Sequence, residues 1–308
     1  CYEQWGINEL SKQARFYGIP LSGKSKYIEV LKDFLMNRKR FPVFDLSEEK
    51  MTSFLRSFEK KKFQYLYGYT SAMVQLSKYL IKDQIVLKNI CPSLKCCIVT
   101  SEVCTEEDKA IMSQAFSIPI VNEYGTSETS IIAFEYPNIG WKIIDENTYI
   151  EVVDNDGKNV PLGQEGRILI TSLSNKAFPV IRYEIGDLGV LEEKNEVLLL
   201  KLLVGRVSDM IMLPSGKIAA GLTFYYVSRS LLENLGIIRE FIIKQITIDT
   251  FVFDVVIDRD FSKQEIDFLH KQMDEYLETG LKLIINKVDK IKRPTSGKIK
   301  HFYSMINS

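Results

Sequence analysis

The sequence predicts an α/β protein made of two unequal domains, and three features carry this prediction. Residues 96–125 run in the order strand, helix, strand, which is typical of a parallel βαβ unit. From about residue 140 to 204, apolar and polar side chains alternate around turns rich in Asp, Asn and Gly, which indicates hairpins. After residue 205, helical and strand patterns alternate again over about 100 residues, enough for a small α+β domain.

The first domain is expected to span residues 1–204, with an α/β part at 1–135 and a β-rich part at 136–204. The segment NELSKQARFY mixes apolar and charged residues and predicts an amphipathic helix that enters a turn at Gly18–Pro20. Residues 47–90 also predict helices. In the βαβ unit, KCCIVTSE and IPIVNEYG are the expected strands, and TEEDKAIMSQAF is a helix capped by Thr105.

The second domain is expected to span residues 205–308, with the boundary at Gly205–Asp209. Its strand and helix patterns include FIIKQITID, FVFDVVID, SKQEIDFLHKQMDEYLE and KLIINKVD. The sequence shows no internal repeat and no low-complexity tract. We therefore expect a small independent α+β domain, with a basic C-terminal tail around residues 292–300 as the alternative interpretation of its end.

Composition excludes several classes of protein. The 308 residues are 45% hydrophobic and 26% charged, and 40 basic residues balance 40 acidic ones. A general nucleic-acid or acidic-membrane binder would carry excess positive charge, so neither is expected. No apolar run approaches the roughly 20 residues that span a bilayer, and the first residues lack the apolar core of a signal peptide. A soluble, cytoplasmic protein is the expectation.

The cysteines and histidines do not form a predicted metal or catalytic set. Cys91, Cys96, Cys97 and Cys104 lack the two C-x2-4-C pairs of a zinc site, and we expect structural thiols in a reducing compartment, with a metal or disulfide role as the alternative. His270 fits the surface of a helix, and neither it nor His301 has a Ser, Cys or second His at a spacing that suggests a catalytic set.

The segment GIPLSGKS at 18–25 matches the phosphate-binding pattern GxxxxGK[ST]. Such a loop needs a strand before it, and the residues upstream read as a helix instead. Pro20 also removes one backbone donor from a loop that works by presenting donors. We therefore expect a surface turn between helices, with a P-loop NTPase acting through Lys24 as an alternative.

Polar residues follow both strands of the βαβ unit. Thr100, Ser101 and Glu102 follow the first strand, and the run Tyr124–Glu128 follows the second. Ligands of open α/β sheets gather at the carboxyl ends of parallel strands. These two segments are therefore candidate binding loops.

Four segments in chain order resemble the motifs of adenylate-forming enzymes. They are NEYGTSE (122–128), IRYEIGD (181–187), GRVSDMIMLPSGK (205–217) and PTSGKIK (294–300). The superfamily includes acyl-CoA synthetases, firefly luciferase and peptide-synthetase adenylation domains. The segment TSEVCTEED (100–108), the PxIRYxxGD arrangement and the final SGKIKHF are similar to the phenylacetate-CoA ligase branch. Within this branch they are most similar to proteins linked to capsular polysaccharide biosynthesis.

This resemblance implies an ATP-dependent reaction of a small-molecule carboxylate that gives an acyl-adenylate, with coenzyme A as one possible acceptor. It implies that Ser101, Glu102, Tyr124, Gly125, Thr126, Ser127, Asp187 and Arg206 bind the nucleotide. The residue types suit these roles. A tyrosine ring can stack on adenine, glycine lets backbone approach a base, and an aspartate can accept hydrogen bonds from ribose hydroxyls.

The resemblance also implies Mg²⁺ held by Glu128, whose carboxylate oxygen is a hard ligand. Lys298 is the implied catalytic lysine, because an ammonium group on a glycine-containing loop can counter charge that develops on the reacting phosphate. The implied hinge lies at Ser208 and Asp209. The family usually has Asp or Lys at the first of these positions, and serine can also change backbone conformation.

One part of the family pattern has no counterpart here. Residues 1–45 lack the Ser/Thr/Gly-rich phosphate loop, and the chain begins with Cys1 rather than methionine. We therefore expect either part of a large adenylate-forming domain followed by the small domain, or a non-catalytic nucleotide-binding relative. The aromatic run with Tyr65, Tyr67 and Tyr69 is either the lining of an acyl pocket or simply core.

Overall fold

A computed structural model gives the architecture of the chain, and it describes residues 1–18, 23–102, 104–204, 210–220, 223–224, 238–291 and 302–306. The chain divides into two compact units. The first comprises Cys1–Ala14, Lys61–Val207 and Pro294–Lys298, and the second comprises Arg15–Lys60, Ser208–Arg293 and Ile299–Ser308.

The helices of the described residues follow a short 3-10 helix at Tyr2–Trp5. In chain order they are α1 Gly23–Leu35, α2 Glu48–Lys60, α3 Thr70–Lys82, α4 Leu87–Ile90, α5 Glu106–Phe116 and α6 Lys263–Tyr276.

The strands of the described residues are, in chain order, β1 Gln13–Phe16, β2 Arg38–Phe41, β3 Tyr65–Tyr69, β4 Cys96–Thr100, β5 Ile120–Thr126, β6 Ser130–Tyr136, β7 Gly140–Ile143, β8 Thr148–Val153, β9 Glu165–Ser172, β10 Tyr183–Lys194, β11 Val197–Val204, β12 Met210–Met212, β13 Ile218–Ala220, β14 Ile238–Thr247, β15 Thr250–Ile257, β16 Lys282–Lys287 and β17 Phe302–Ser304.

The first unit is built on a mixed sheet whose strands lie in the order β3-β4-β5-β6-β7-β11-β10-β9-β8. Strands β3, β4 and β5 are parallel, and the following neighbours are antiparallel. The predicted βαβ unit is confirmed as β4, α5 and β5. Thr105 caps α5 as expected, because its hydroxyl accepts from the Asp108 amide at 3.1 Å and its own amide donates to the Asp108 carboxylate at 3.0 Å.

Two apolar clusters stabilise this sheet. One contains Tyr124, Ile143, Ile168 and other strand residues, and the other contains Ile7, Cys96, Val121 and Phe134. Tyr124 and Val121 fall in different clusters because successive side chains of a strand point to opposite faces. The hairpins predicted between 140 and 204 are present as β8–β9 and β10–β11.

The second unit has a four-stranded sheet in the order β16-β15-β14-β17 and a small hairpin of β12 and β13. Helix α6 contributes Leu269 and Met273 to its apolar core, where they join Phe251 and Phe253. Helix α6 begins with a capping box, in which the Ser262 hydroxyl accepts from the Glu265 amide at 3.3 Å. His270 lies on this helix, as the sequence predicts.

Two local predictions are wrong. The segment NELSKQARFY does not form a helix, because residues 13–16 form β1 with Ala14 and Phe16 fully buried, while Leu10 is exposed. Residues 47–90 are not all helical either, because β3 lies between α2 and α3. The first error matters for GIPLSGKS, since a strand does precede this segment and α1 begins at Gly23.

The thiols agree with the structural role expected from the sequence. Cys91, Cys96 and Cys97 are buried and all five cysteines are free. Burial raises the pKa of the Cys96 thiol to about 12. Among the residues that the structure describes, no helix is long and apolar enough to cross a bilayer.

Candidate functional site

A buried hydrogen bond joins two of the four sequence motifs within the first unit. The Tyr124 hydroxyl, near the end of β5, donates to Oδ2 of Asp187 in β10 at 2.9 Å. Tyr124 is 8% exposed and Asp187 is 4% exposed. The ring of Tyr124 also makes an edge contact with Trp141, with ring centroids 6.2 Å apart. Tyr124, which is predicted to contact adenine, and Asp187, which is predicted to contact ribose, are therefore in direct contact.

The backbone before Asp187 explains how an aspartate reaches this buried position. Gly186 has a φ of +76°, a conformation that residues with a Cβ adopt at a cost. The pairing of β10 with β9 shifts register between Glu184 and Leu188, so the strand is irregular at this point. An irregularity of this kind changes the direction of a side chain from the one that regular alternation between the two faces of the strand would give it. The glycine before the aspartate therefore has a defined local role.

Gly125 is required by its neighbouring strand. A Cβ at this position would lie 2.4 Å from the carbonyl oxygen of Ser130, which is backbone and cannot rotate away. The register between β5 and β6 shifts between Tyr124 and Gly125. The family resemblance implies a different role for this glycine, the close approach of a nucleotide base, and that role stays a prediction.

Hydrogen bonds between two threonines stabilise the turn after Gly125. The Thr126 and Thr129 hydroxyls lie 2.9 Å apart, and the Thr129 amide donates to Oγ1 of Thr126 at 3.1 Å. Thr129 is buried, whereas Ser127 and Glu128 between the two threonines are exposed. The turn therefore presents two predicted site residues to solvent, Ser127 for nucleotide binding and Glu128 for Mg²⁺.

A second hydrogen bond joins the same two motifs in the opposite sense. The Tyr183 hydroxyl donates to Oε1 of Glu128 at 3.3 Å. Each motif thus supplies one tyrosine and one carboxylate, and each tyrosine donates to the carboxylate of the other motif. The family resemblance assigns no role to Tyr183. The available signal was that IRYEIGD, like NEYGTSE, contains a tyrosine beside its acidic residue.

Glu102 has a structural role that the sequence did not predict. Its carboxylate accepts from the Ser71 amide at 2.6 Å and from the Ser71 hydroxyl at 3.0 Å. Ser71 lies in the first turn of α3, and the N-cap residue Tyr69 provides no side-chain cap. A carboxylate at this position satisfies a backbone donor and interacts favourably with the helix dipole. Ser101 precedes it with a φ of +70°. Nucleotide binding by these two residues stays a prediction.

A buried carboxylate lies beside Tyr124 on the other face of β5. Glu123 accepts hydrogen bonds from Tyr2 at 2.6 Å and from Tyr67 at 2.7 Å. Burial, followed by the charge of Glu123, raises the pKa of the Tyr2 hydroxyl well above its usual range. Tyr67 therefore makes a specific polar contact, and Tyr69 is buried. The sequence signal for this site was an acidic residue within an otherwise apolar strand.

The remaining site residues lie outside the described residues. They are Arg206, Ser208, Asp209 and Lys298. Among the residues that the structure describes, no group of three or more His, Cys, Asp or Glu side chains could hold a metal ion by itself. The exposed Glu128 carboxylate fits a Mg²⁺ ion that takes its other ligands from phosphate and water, since Mg²⁺ commonly binds one or two carboxylates together with substrate phosphates.

Comparison with known proteins shows which proteins this chain is similar to. Residues 38–175 match the family described as AMP-binding enzyme. A phenylacetate-coenzyme A ligase from Aromatoleum evansii is 32% identical over 132 residues, which are 39% of this chain and 29% of that protein. Protein CapK from Staphylococcus aureus is 23% identical over 278 residues, which are 86% of this chain and 58% of CapK. The chain spans less than two thirds of either relative.

Solved structures of a 2-hydroxyisobutyryl-CoA ligase share the fold. An open conformation with 2-HIB-AMP and CoA has a TM-score of 0.53 at 18% identity, covering 97% of this chain and 68% of that chain. The same ligase in the thioesterification state has a TM-score of 0.55 at 17% identity, covering 97% and 66%. The predicted α/β fold of adenylate-forming enzymes is confirmed. The predicted resemblance of the chain to AMP-binding enzymes, and among them to phenylacetate-CoA ligase and CapK, is confirmed as well.

Proposed function

We propose that the chain carries the nucleotide site of an ATP-dependent carboxylate-activating enzyme. The observation that carries this proposal is the buried Tyr124–Asp187 hydrogen bond, which brings the adenine and ribose motifs together from positions 63 residues apart. The AMP-binding enzyme match over residues 38–175 supports it, because that range includes Tyr124 and Glu128. The chain would therefore belong to the ligases that make acyl-adenylates.

In the proposed reaction, an oxygen of the substrate carboxylate attacks the α-phosphorus of ATP. A bond forms between this oxygen and phosphorus, the bond to the β-phosphate oxygen breaks, and pyrophosphate leaves with the electron pair. Asp187 accepts hydrogen bonds from the ribose hydroxyls, and Tyr124 keeps this carboxylate in place. Mg²⁺ bound at Glu128 would supply charge neutralisation for the phosphates.

Residues of the C-terminal part complete the proposal. Lys298 would place its ammonium group between the carboxylate and the α-phosphate and offset the negative charge of the transition state. Arg206 would contact the ribose. Residues 205–308 would act as a small mobile domain that turns about Ser208 and Asp209, so that Lys298 enters for adenylation and leaves afterwards. The acyl group would then pass to coenzyme A or to another acceptor.

The similarity to CapK over 86% of this chain supports a role in capsular or surface polysaccharide biosynthesis. The similarity to phenylacetate-coenzyme A ligase supports an aromatic or other small carboxylate as substrate. The cytoplasm is the proposed location, because ATP and coenzyme A are available there.

The test is carboxylate-dependent exchange of labelled pyrophosphate into ATP by the full-length protein. We expect exchange with the unaltered chain and a loss of at least about a hundredfold in Lys298→Ala, since removing one preorganised charge from a transition state commonly has such an effect. Lys271→Ala is the control, because Lys271 is an exposed lysine of α6. Exchange that survives Lys298→Ala unchanged would contradict the assigned catalytic lysine. AMP binding without exchange would instead indicate a non-catalytic nucleotide-binding relative.

A second candidate function rests on GIPLSGKS. The observation in its favour is that β1 ends at Phe16 and α1 begins at Gly23, which is the strand-loop-helix order of a P-loop. Against it, Tyr27 and Phe34 of α1 are 76% and 80% exposed, whereas a P-loop helix packs on its sheet. Carboxylate-independent ATP hydrolysis that Lys24→Ala abolishes would favour this candidate.

A further inference from the structure

We infer that Tyr183 is a positioning residue that fixes the metal-binding carboxylate of Glu128. This inference rests on the proposed function, because it concerns how Glu128 meets Mg²⁺. The sequence resemblance assigns a role to Asp187 in the second motif and none to Tyr183. The structure supplies the reason to consider it, since the Tyr183 hydroxyl lies 3.3 Å from Oε1 of Glu128.

Glu128 depends on Tyr183 for its orientation. Among the residues that the structure describes, this phenol provides the only hydrogen bond to the Glu128 side chain. Glu128 is exposed, and an exposed glutamate samples several rotamers unless a contact selects one. With Oε1 held by the phenol, Oε2 remains to bind a cation through a single oxygen, which is how Mg²⁺ often uses a carboxylate.

The position of Tyr183 depends on its neighbour Arg182, which several hydrogen bonds hold in place. Arg182 has a φ of +46°, which is unfavourable for a residue with a long side chain. Its amide donates to Oγ1 of Thr171 at 3.0 Å, and its guanidinium donates to Oε2 of Glu151 at 3.1 Å and to the Gly157 carbonyl at 2.9 Å. These three hydrogen bonds can hold Arg182 in the left-handed backbone conformation.

Because Arg182 is held in place, the residue that follows it, Tyr183, has a defined position. The chain turns at Arg182, Tyr183 begins β10, and Asp187 follows in the same strand. Tyr183 therefore spans from the strand that carries the ribose aspartate to the turn that carries the metal carboxylate. The hydrogen bond between Thr126 and Thr129 stabilises the turn that carries Glu128. This hydrogen bond and the Tyr124–Asp187 bond together link the two segments that carry the carboxylates.

The experiment separates cation binding from nucleotide binding by calorimetry. AMP is titrated without Mg²⁺, and α,β-methylene-ATP is titrated over a range of Mg²⁺ concentrations. In Tyr183→Phe, we expect unchanged AMP affinity and a requirement for about three- to tenfold more Mg²⁺, because the loss of one ordinary hydrogen bond at an exposed site has an effect of this size. Tyr149→Phe is the matched control, because Tyr149 is an exposed tyrosine of β8.

A double-mutant cycle tests the route of the effect. Glu128→Gln should weaken Mg²⁺-dependent binding, and adding Tyr183→Phe to it should have no further effect if the phenol acts only through Glu128. Equal loss of AMP and of Mg²⁺–nucleotide affinity in Tyr183→Phe would overturn the inference, and so would an unchanged Mg²⁺ requirement. Failure of the unaltered chain to bind AMP would instead contradict the proposed function, so the two failures are distinguishable.

Discussion

Tyr124 donates a hydrogen bond to Asp187 at 2.9 Å in the buried interior of the first unit. The contact lies between β5 and β10, which are separated in the sheet by β6, β7 and β11. It therefore depends on the whole strand order of the unit. A tyrosine and an aspartate that lie 63 residues apart in the sequence are thus in direct contact in the folded unit.

Removing the Tyr124 hydroxyl should destabilise the protein. In Tyr124→Phe, the buried Asp187 carboxylate loses a donor, which typically costs about 1–3 kcal/mol of unfolding free energy. Denaturant unfolding measures this change. Tyr149→Phe, which alters an exposed tyrosine, should change stability by less than about 0.5 kcal/mol. Equal effects of the two substitutions would contradict the buried contact.

Substitution of Gly125 should be destabilising because of a backbone clash. In Gly125→Ala, the new Cβ would lie 2.4 Å from the Ser130 carbonyl oxygen, so β5 and β6 must move apart. Overpacking of this kind costs about 1–3 kcal/mol. Thermal unfolding provides the measurement, with Ser127→Ala in the same exposed turn as the control. A Gly125→Ala protein as stable as the control would show that the hairpin is not packed this closely.

Glu102 should contribute to stability through α3. In Glu102→Ala, the Ser71 amide and hydroxyl lose their acceptor, and we expect a loss of about 1–2 kcal/mol, comparable to removal of a helix cap. Glu9→Ala is the control, because Glu9 is exposed. If instead Glu102→Ala leaves unfolding unchanged and weakens only AMP binding, Glu102 is a nucleotide ligand rather than a cap.

The buried thiols should be unreactive in the native protein. Burial raises the pKa of Cys96 to about 12 and raises that of Cys97 as well, so little thiolate exists at about pH 8. Iodoacetamide followed by mass spectrometry should therefore label the exposed Cys1 first and label Cys96 and Cys97 only after denaturation. Labelling of Cys97 in the native protein as fast as Cys1 would contradict this burial.

The same pKa shifts make stability depend on alkaline pH. The native thiols hold their protons more tightly than the unfolded ones, whose pKa lies near 9. Between about pH 9 and 12 the unfolded chain loses these protons while the native protein keeps them, so the free energy of unfolding falls as pH rises. Replacement of Cys96 and Cys97 by alanine should flatten this part of the pH profile.

The elements that could be predicted from sequence are those with local signals. The unit of β4, α5 and β5 combines apolar strand runs with a capping box at Thr105, and both signals act within a few residues. The hairpins of the β-rich part were predictable for the same reason, since turn residues separate alternating strands.

The elements that were missed depend on distant partners. β1 has only the four residues Gln13–Phe16, and β3 runs without a loop into α3, so neither has a boundary signal. The pairing of β3 with β4, which places Tyr65 opposite Cys96, has no local trace. The site follows this rule as well. Its motifs were recognisable, but the Tyr183–Glu128 and Ser71–Glu102 contacts depend on tertiary structure.

The most direct test of the central claim is calorimetric titration of AMP into Asp187→Asn. Asparagine keeps the shape of the side chain and an oxygen that can accept from Tyr124, while it removes the charge that would accept from the ribose hydroxyls. We expect AMP to bind the unaltered chain and to bind Asp187→Asn at least about tenfold more weakly, as for loss of a charged hydrogen-bond partner. The exposed control Asp156→Asn should bind normally. Unchanged AMP affinity in a folded Asp187→Asn protein would contradict a nucleotide site built on Tyr124 and Asp187.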